Sequence, residues 1–546
     1  MSVFVFVCVC VCVSVCVCVC VEMSRVISET ELSTHNTVAD CWIAIDGIVY
    51  DVTKFLKSHP AGAGVILAVA GREVSEEFFS FHKKEVLAKF GPRLRIGVLH
   101  GQHVDEQCDV VFDTSTPFAE STFVRGWSSA YMDASHLKFR ESCRQFVSMH
   151  VLGEFDDFTN EDPSDEVFEK LGSSGIIASR VGKCAMPFVH KLGINLPSNL
   201  PSDKFNHFHE MICVQEIYRI GNGGVSDGLG VGATIGLPPV LYFGKRELKE
   251  KVAPEVLLGK RRICLAITEP IAGSDVANIT TTAVLNEAKT HYVVNGIKKW
   301  ITGGYPAHYF TAAVRTGGPG HAGISLLLIE TPATPADGRI IKHKIKTSYS
   351  GTAGTSLLIF ENVLVPRENL LGSEGDGFKL IMANFNHERW YLCVVGSAFA
   401  RTCVAECYRW AIGRKAFGKR LIDQPVIRYK LAEMSAMLEC LESWLESITV
   451  QMDSMSVMDQ FEKLAAPIAL MKFQFSRFGW KIADNATQIL GGRGVTQTGM
   501  GKFIERFKNE AKFTAITGGS EEIIADLAIR QVVGKAKKSN PNATRL

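Results

Sequence analysis

The sequence predicts a multidomain fold in which a small α+β domain precedes a helical domain, a β-rich domain and a second helical domain. The chain has 546 residues, enough for three or four domains. Its apolar residues first alternate, then recur at helical spacing, alternate again between Gly and Pro residues, and return to helical spacing. Hydrophobic residues make up 46% of the chain and charged residues 21%, which is typical of a globular protein.

The charge balance and the cysteine pattern exclude several classes of function. The formal net charge is only +2, so we expect no nucleic-acid partner. Six of the 16 cysteines precede Val21, and the others are scattered without metal-ligand spacing. We therefore expect reduced intracellular thiols and no zinc site. The basic tail, residues 536–546, ends in Thr-Arg-Leu and only loosely resembles a peroxisomal signal, which leaves peroxisome, mitochondrion and cytoplasm open.

Residues 1–22 form a low-complexity tail in which Val alternates with Cys or Phe. β-branched residues at every second position disfavour a helix, and no basic region or cleavage site accompanies them, so we expect no convincing membrane span. A TG dinucleotide repeat read in frame gives alternating Cys and Val. We therefore interpret the tail as an artefact of a start assigned upstream of Met23, with a membrane anchor as the alternative. If the tail is translated, its alternation is an aggregation hazard.

A first domain is predicted for residues 24–100. Apolar and polar residues alternate on both sides of Asp46-Gly47, which is typical of a β-hairpin. His59 and His82 follow, flanked by apolar helical sequence. Two neutral imidazoles that rise from helical loops into an apolar cleft can clamp a haem iron from both faces, and such a site carries electrons. Two surface histidines are the alternative.

This domain resembles the haem-binding domain of cytochrome b5. The resemblance rests on Trp42-Ile-Ala-Ile-Asp-Gly-Ile-Val-Tyr-Asp-Val-Thr-Lys-Phe55, on His59-Pro-Ala-Gly62 and on the Ile96-Gly97 ending. It implies that His59 and His82 are the axial ligands of haem b. The family usually has Gly where this chain has Ala61, so the loop at His59 must accommodate a methyl group.

The rest of the chain divides by composition and periodicity. Residues 101–118 are polar and aperiodic, which predicts a linker. Beyond the linker we predict a helical domain at 119–261, a β domain at 262–372 and a helical domain at 373–535.

Four motifs in the last three segments resemble the acyl-CoA dehydrogenase family over about residues 120 to 535. They are Leu265-Ala-Ile-Thr-Glu-Pro-Ile-Ala-Gly-Ser-Asp275, Asn295-Gly-Ile-Lys-Lys-Trp-Ile-Thr302, Arg414-Lys-Ala-Phe-Gly418 and Gln488-Ile-Leu-Gly-Gly492. The resemblance implies an α-helical domain, a β-barrel-like middle domain and a C-terminal four-helix bundle. It also implies FAD as cofactor and an acyl-CoA as substrate.

Short hydroxyl residues at strand ends can hydrogen-bond the polar edge of a flat ring, and Trp300 can cover one face of that ring. This combination of contacts suits a flavin. The alternative is hydroxyls that satisfy turns and a tryptophan in the core. The Arg414 guanidinium suits a pyrophosphate, and Gly491-Gly492 permits close approach of backbone. The resemblance implies FAD contacts at Leu265, Ile267, Thr268, Ser274, Trp300, Ile301, Thr302, Arg414, Phe417, Gln488, Gly491, Gly492, Ser520 and Glu522.

In the family, the Arg414 and Gly491-Gly492 positions contact the FAD of a neighbouring subunit, so the resemblance implies a homo-oligomer that shares its FAD sites. A family His-Gln pair is Gln424-Pro425 here, which puts one adenine-side contact in question. The glycines Gly230, Gly232 and Gly236 do not follow a strand of a βαβ unit. We therefore predict close helix packing there and no dinucleotide fingerprint.

Removal of an α-proton from an acyl-CoA requires a carboxylate. Many family members carry this Glu in the loop before the last helix, where the present chain has Gly518. A subset that includes long-chain and isovaleryl-CoA dehydrogenases carries it on an earlier helix in a Glu-Arg pair, which Glu388-Arg389 supplies. We predict Glu388 as the base. An exposed helical Glu is one alternative, and Glu521 or Glu522 as base is another.

The Gly518 N–H is predicted to hold the thioester carbonyl together with a flavin ribityl hydroxyl. The resemblance further implies substrate contacts at Ser274, Asn386, Arg389 and Gly519.

The sequence thus predicts a dehydrogenase that forms trans-2-enoyl-CoA and passes electrons to its haem domain. The alternatives are an oxidase, a dehydrogenase linked to an electron-transfer flavoprotein, and a non-catalytic haem and acyl-CoA binding protein. Acyl chain length and branching stay open.

Overall fold

A computed structural model describes residues 25–79, 81–82, 84–100, 112–151, 162–349 and 351–539. The chain divides into two compact units, Met1–Cys108 and Asp109–Leu546. The predicted tail at 1–22, most of the predicted linker and residues 540–546 of the basic tail lie outside the described residues.

The first unit is built on a five-stranded sheet with the order β1-β5-β4-β3-β2. The predicted hairpin is confirmed: its turn is Asp46-Gly47, with φ of +49° and +73°, the left-handed geometry of a type I′ turn. Apolar residues of the sheet pack on both of its faces, with Ile43 and Ala44 in different clusters. The elements are β1 (Val26–Ile27), α1 (Glu29–Thr34), β2 (Asn36–Thr37), β3 (Asp40–Ile45), β4 (Ile48–Asp51), α2 (Ala63–Leu67), α3 (Ser75–Phe79), α4 (Lys84–Leu94) and β5 (Arg95–Leu99).

The second unit begins with helices, as predicted. Two of them start with a capping box in which Asp133 and Asn206 accept backbone N–H groups while a histidine at the third helical position bonds back. The helices are α5 (Ala134–His150), α6 (Asp165–Ser173), α7 (Ile176–Val181), α8 (Met186–Leu192), α9 (His207–Tyr218), α10 (Gly223–Gly228), α11 (Val231–Phe243) and α12 (Arg246–Leu257).

The middle of the second unit is an eight-stranded sheet. Its order is β11-β12-β8-β7-β9-β10-β13, and β6 pairs in parallel with β9. The strands are β6 (Ile263–Ala266), β7 (Thr282–Leu285), β8 (His291–Ile301), β9 (Tyr309–Arg315), β10 (Ile324–Glu330), β11 (Arg339–Lys344), β12 (Ser356–Pro366) and β13 (Leu370–Leu371).

The glycines of α11 have the packing role that the sequence predicts. A Cβ at Gly232 would lie 2.3 Å from the Ile263 carbonyl oxygen, and one at Gly236 would lie 2.8 Å from the Cys264 carbonyl carbon. Both glycines thus let α11 lie directly against β6.

The C-terminal part is a helical bundle with α16 near its centre, packed against α13, α14, α17 and α18. One apolar cluster joins this bundle to the first helices, since Ile217, Val394 and Ile468 all belong to it and are fully buried. The elements are α13 (Gly377–Gly413), β14 (Lys415–Ala416), β15 (Lys419–Arg420), α14 (Pro425–Asp453), α15 (Val457–Lys463), α16 (Ala465–Leu490), α17 (Lys502–Ile516) and α18 (Glu521–Ser539).

The last residues of the predicted linker belong to the second unit. Arg401 donates hydrogen bonds of 3.0 Å to the carbonyl oxygens of Phe118 and Glu120. Arg144 bonds the buried Glu120 carboxylate, and Arg409 bonds Asp113. The chain is therefore anchored on the second unit before the first helix of that unit, α5, begins. Within the described ranges, no helix is both long and apolar enough to cross a bilayer.

Candidate active site

Glu388 lies on α13 with its carboxylate inside the second unit. Its Oε2 atom is buried and has no hydrogen-bond partner among the described residues. Burial raises the pKa of Glu388 to about 7, although the neighbouring cationic groups of Arg389, His387 and Lys472 act to lower it. A half-buried carboxyl that has one buried, unpartnered oxygen and titrates near neutral pH is suited to accept a proton.

The loop that carries Gly518 and Gly519 joins α17 to α18 and is held from two helices. Arg389 on α13 donates from Nε to the Gly518 carbonyl oxygen at 2.9 Å, and Lys472 on α16 donates from Nζ to the Gly519 carbonyl oxygen at 2.8 Å. Gly518 has a φ of +67°, and an added Cβ would lie 2.7 Å from Leu392 Cδ1. The left-handed φ at this position therefore favours glycine, and an added Cβ would require the end of the Leu392 side chain to shift.

The other residues predicted beside the base lie in the interior. Asn386 is 2% exposed and donates to the Gln460 carbonyl oxygen at 3.4 Å, with its Oδ1 atom buried. Burial lowers the pKa of Arg389. His387 contacts Glu210; burial acts to lower the pKa of His387, but the Glu210 carboxylate raises it above its usual value. Glu521 and Glu522 occupy the first turn of α18.

The residues predicted to face the flavin ring gather where β6 and β8 end. The Lys299 N–H donates to the Thr268 carbonyl oxygen at 2.9 Å, which brings Thr268 beside Trp300 and Thr302. β8 has one extra residue relative to β12 at this point, and Trp300 in this bulge has a φ of +64° with its side chain 54% exposed. The bulge turns the indole out of the sheet.

Three other predicted flavin contacts have buried side chains. Leu265 and Ile267 belong to the large helical core, and Ile301 belongs to the core of the sheet. Ser274 is exposed in the loop after β6, and Ser520 precedes α18 half-buried. The hydroxyl residues and Trp300, not the three aliphatic side chains, form the open surface at this edge.

A buried ion pair holds the Ser274 loop. Lys298 Nζ lies 2.8 Å from Glu269 Oε1, and both side chains are almost fully buried. Burial acts to raise the pKa of Glu269, but Lys298 and hydrogen bonds from Thr280 and Thr281 lower it to about 2. The pair therefore fixes both ends of the loop next to Trp300.

The residues predicted for the distal part of FAD form an exposed surface. Arg414 ends α13, and its guanidinium lies 5.8 Å from the centre of the Trp410 ring, which Arg493 also contacts. Phe417 is 97% exposed at a hairpin tip. Gln488 and the turn Gly491-Gly492 are exposed as well, and a Cβ at either glycine would meet no atom within 4 Å. In one copy of the chain, these side chains face open space.

In the first unit, the structure brings His59 and His82 together. Their ring centroids are 5.8 Å apart and their planes are inclined by 60°. His59 Nδ1 is buried without a partner among the described residues. His82 Nδ1 lies 3.2 Å from the Phe78 carbonyl oxygen, which requires the proton on Nδ1 and leaves Nε2 free. Burial lowers the pKa of His82, so the ring is neutral at pH 7. This donor set fits a haem iron held from both faces.

The departure at Ala61 is accommodated without strain. Ala61 is exposed, and it is not among the residues with positive φ, whereas Gly62 next to it has a φ of +81°. The extra methyl group thus belongs to an exposed residue whose backbone does not need the left-handed φ that favours glycine.

Comparison with known proteins agrees with the fold of both units. The models "Acyl-CoA dehydrogenase, middle domain" and "Acyl-CoA dehydrogenase, C-terminal domain" match residues 264–363 and 375–533, and "Cytochrome b5-like Heme/Steroid binding domain" matches residues 28–100.

Relatives and solved structures cover the second unit. Acyl-CoA dehydrogenase apdG of Emericella nidulans is 37% identical over 77% of this chain and 96% of its own length. Acyl-CoA dehydrogenase AFT10-1 of Alternaria alternata is 34% identical over the same shares. The crystal structure of a Bacillus anthracis acyl-CoA dehydrogenase complexed with FAD is 25% identical, with a TM-score of 0.64 over 77% of this chain and 70% of that one.

The fold and the site therefore define an oxidoreductase that acts on acyl-CoA. The chain belongs to the acyl-CoA dehydrogenase family and carries an N-terminal cytochrome b5-like domain.

The sequence reasoning missed Lys472 and the Glu269–Lys298 pair. Lys472 is a single charge within the apolar run Ile468-Ala-Leu-Met-Lys-Phe473, a pattern that indicates a buried cation. Lys298 lies in a motif that was already recognised, but its neighbours Lys299 and Trp300 gave no sign that it is buried.

Proposed function

We propose that the protein is an FAD-dependent dehydrogenase that converts an acyl-CoA to the trans-2-enoyl-CoA, with Glu388 as the base. The observation that carries this proposal is the half-buried Glu388 side chain, whose Oε2 atom is buried without a partner among the described residues and whose pKa of about 7 suits proton abstraction at physiological pH. The absence of a carboxylate at Gly518, where the left-handed φ of +67° favours glycine, supports Glu388 over a base in the loop.

Different residues of the chain would carry out different parts of the reaction. The Glu388 carboxylate takes the α-proton, and the N–H of Gly518 donates to the thioester carbonyl, which stabilises the negative charge that develops there. Bound FAD supplies the two-electron acceptor for the β-hydrogen, which leaves as a hydride. Loss of one proton and one hydride forms the double bond between the α- and β-carbons.

The residues at the strand ends fit a flavin. Thr268 and Thr302 offer hydroxyl groups beside the exposed Trp300 ring, as a ring with polar edges and apolar faces requires. We propose that Arg414, Phe417, Gln488 and the Gly491-Gly492 turn bind the FAD of a second copy, because in one copy they are exposed around an open surface. This proposal requires a homo-oligomer.

We further propose that the first unit would hold a haem, which would supply an acceptor or relay able to take the electrons one at a time. His59 and His82 would hold its iron from both faces, which leaves no position for oxygen and suits electron transfer. Covalent linkage raises the concentration of the haem near the flavin. An oxidase, or a dehydrogenase that uses a separate electron-transfer flavoprotein, differs from this proposal only in the acceptor.

An anaerobic absorbance titration of the holoprotein with a panel of acyl-CoAs tests both parts. Bleaching of the flavin followed by reduction of the haem supports the dehydrogenase and the relay. Bleaching with an oxidised haem contradicts the relay alone. If no acyl-CoA of the panel bleaches the flavin, the dehydrogenase proposal is wrong, and a binding protein becomes the better account.

A further inference from the structure

Lys472 is a charged side chain in the centre of the helical bundle. It is 1% exposed on α16, and its Nζ donates to the Gly519 carbonyl oxygen at 2.8 Å. A small cavity between α13, α16 and α17 borders it, with Leu392, Phe475 and Phe507 in its wall. An ammonium group in such surroundings is costly to bury, so its place requires a compensating interaction.

The contact that Lys472 makes determines where the loop amides point. Arg389 and Lys472 hold the two consecutive carbonyl oxygens of Gly518 and Gly519 from the bundle side. In a trans peptide unit the N–H points opposite to the C=O, so the N–H groups of Gly519 and Ser520 point away from these cations. Among the residues that the structure describes, neither N–H makes a hydrogen bond.

Lys472 also acts on the base through charge. The titratable groups that face it are Arg389, Glu388 and Cys393 on α13, Glu521 on α18 and Glu510, which lines the same cavity from α17. Burial lowers the pKa of Lys472 to about 8, at which value it still carries its charge at pH 7. That charge opposes the effect of burial on the pKa of Glu388.

We propose that Lys472 is a positioning residue for the dehydrogenase reaction. With Arg389 it clamps the two carbonyl groups of the Gly518–Gly519 loop, which fixes the loop with the N–H groups of Gly519 and Ser520 turned away from the two cations, and it places a positive charge beside Glu388. This inference rests on the proposed function, in which Glu388 is the base.

Two substitutions separate the hydrogen bond from the charge. Lys472→Met removes both, and Lys472→Gln keeps a donor without the charge. In Lys472→Met we expect kcat to fall about tenfold to a hundredfold with a small change in KM, and the acid limb of the pH profile to move about one pH unit upwards. Lys472→Gln should show the shift of the acid limb with a smaller loss of kcat. Lys481→Met is the matched control, because this exposed lysine of the same helix forms a surface ion pair with Glu433.

Amide hydrogen exchange at Thr517 and Ile524, whose hydrogen-bonded N–H groups flank the loop, gives a readout that does not depend on turnover. We expect faster exchange in Lys472→Met than in wild type or Lys472→Gln. Wild-type exchange and a wild-type pH profile in Lys472→Met would overturn the inference. If Lys472→Met does not fold, an unshifted acid limb in Lys472→Gln overturns it. Full turnover by Glu388→Gln would instead contradict the proposed function, and the exchange data would still decide whether Lys472 clamps the loop.

Discussion

The two ends of the candidate active site differ in how complete they are within one chain. At the base end, Glu388 and the Gly518–Gly519 loop are half-buried, and two cations from different helices bond the loop. At the nucleotide end, Arg414 and Phe417 lie on an open surface, and Phe417 is 97% exposed. A single copy thus contains the residues for acid–base chemistry, whereas it does not contain the complete binding site for the cofactor.

Because of this difference, some substitutions should abolish the reaction itself, and others should prevent assembly of the oligomer. Changes at the base end should affect turnover at any protein concentration. Changes at the nucleotide end should affect FAD retention and oligomeric state first, and turnover only through them.

Glu388→Gln is expected to have the largest effect. Loss of the base should lower kcat at least a thousandfold, since the amide cannot accept the α-proton. Glu446→Gln is the matched control: burial and the neighbouring Glu442 and Glu439 also raise the pKa of Glu446 to about 7, but it lies in a structural acidic cluster on α14. We expect Glu446→Gln to retain turnover, and steady-state kinetics with one acyl-CoA compares the two. Equal losses would show that a raised pKa does not identify the base.

Gly518→Ala should have the next largest effect. A left-handed φ costs an alanine about 1–2 kcal/mol, and its Cβ would meet Leu392. We expect kcat/KM to fall about tenfold or more and the thermal midpoint to fall by several degrees. Gly534→Ala on α18, where a Cβ meets no atom within 4 Å, should keep both values. Wild-type kinetics in Gly518→Ala would contradict the tight fit of the loop.

Phe417→Ser tests the nucleotide end. An almost fully exposed aromatic ring adds little to the stability of one copy, so we expect the unfolding midpoint to stay within about 2 °C of wild type. The FAD dissociation constant should rise about tenfold and the oligomer should weaken, as measured by equilibrium dialysis and light scattering. Trp127→Ser, which changes another exposed aromatic residue, should leave both unchanged. Unchanged FAD binding in Phe417→Ser would remove this surface from the cofactor site.

The smallest expected effect is on stability and depends on pH. The pKa of Glu388 rises from 4.5 to about 7 on folding, so its contribution to stability is complete below pH 4.5 and is lost as the pH rises through 7. Glu388→Gln cannot ionise. Relative to wild type it should gain up to about 3 kcal/mol between pH 5 and pH 8, measured as urea unfolding of the second unit. A difference that does not change with pH would contradict the burial of the carboxylate.

Much of the fold follows from local sequence signals. The Asp46-Gly47 turn, the helical periodicity in α5 and α9, and the β-rich runs of β8 and β10 were sufficient to predict those elements, because each depends on residues close together in the chain. Glu388 and Gly518 could be related only through the resemblance to a family. No local pattern connects residues that are 130 positions apart.

Features set by long-range packing could not be predicted. Nothing near Trp300 indicates a bulge, which arises from the register between β8 and β12. The apolar residues around Lys472 suggest that it is buried, but its partner, the Gly519 carbonyl, comes from a loop 47 residues further along the chain. The side chains of Leu265, Ile267 and Ile301 belong to the core, although the motifs that contain them mark a cofactor site.

The most direct test of the account is the exchange of the α-hydrogens of an acyl-CoA with deuterated solvent, followed by mass spectrometry. Holoprotein is incubated anaerobically with the substrate at pH 6 and pH 8, for wild type, Glu388→Gln and Glu446→Gln. We predict exchange in wild type and Glu446→Gln that is faster at pH 8, and none above background in Glu388→Gln. Exchange by Glu388→Gln at the wild-type rate would contradict the central claim that Glu388 removes the α-proton.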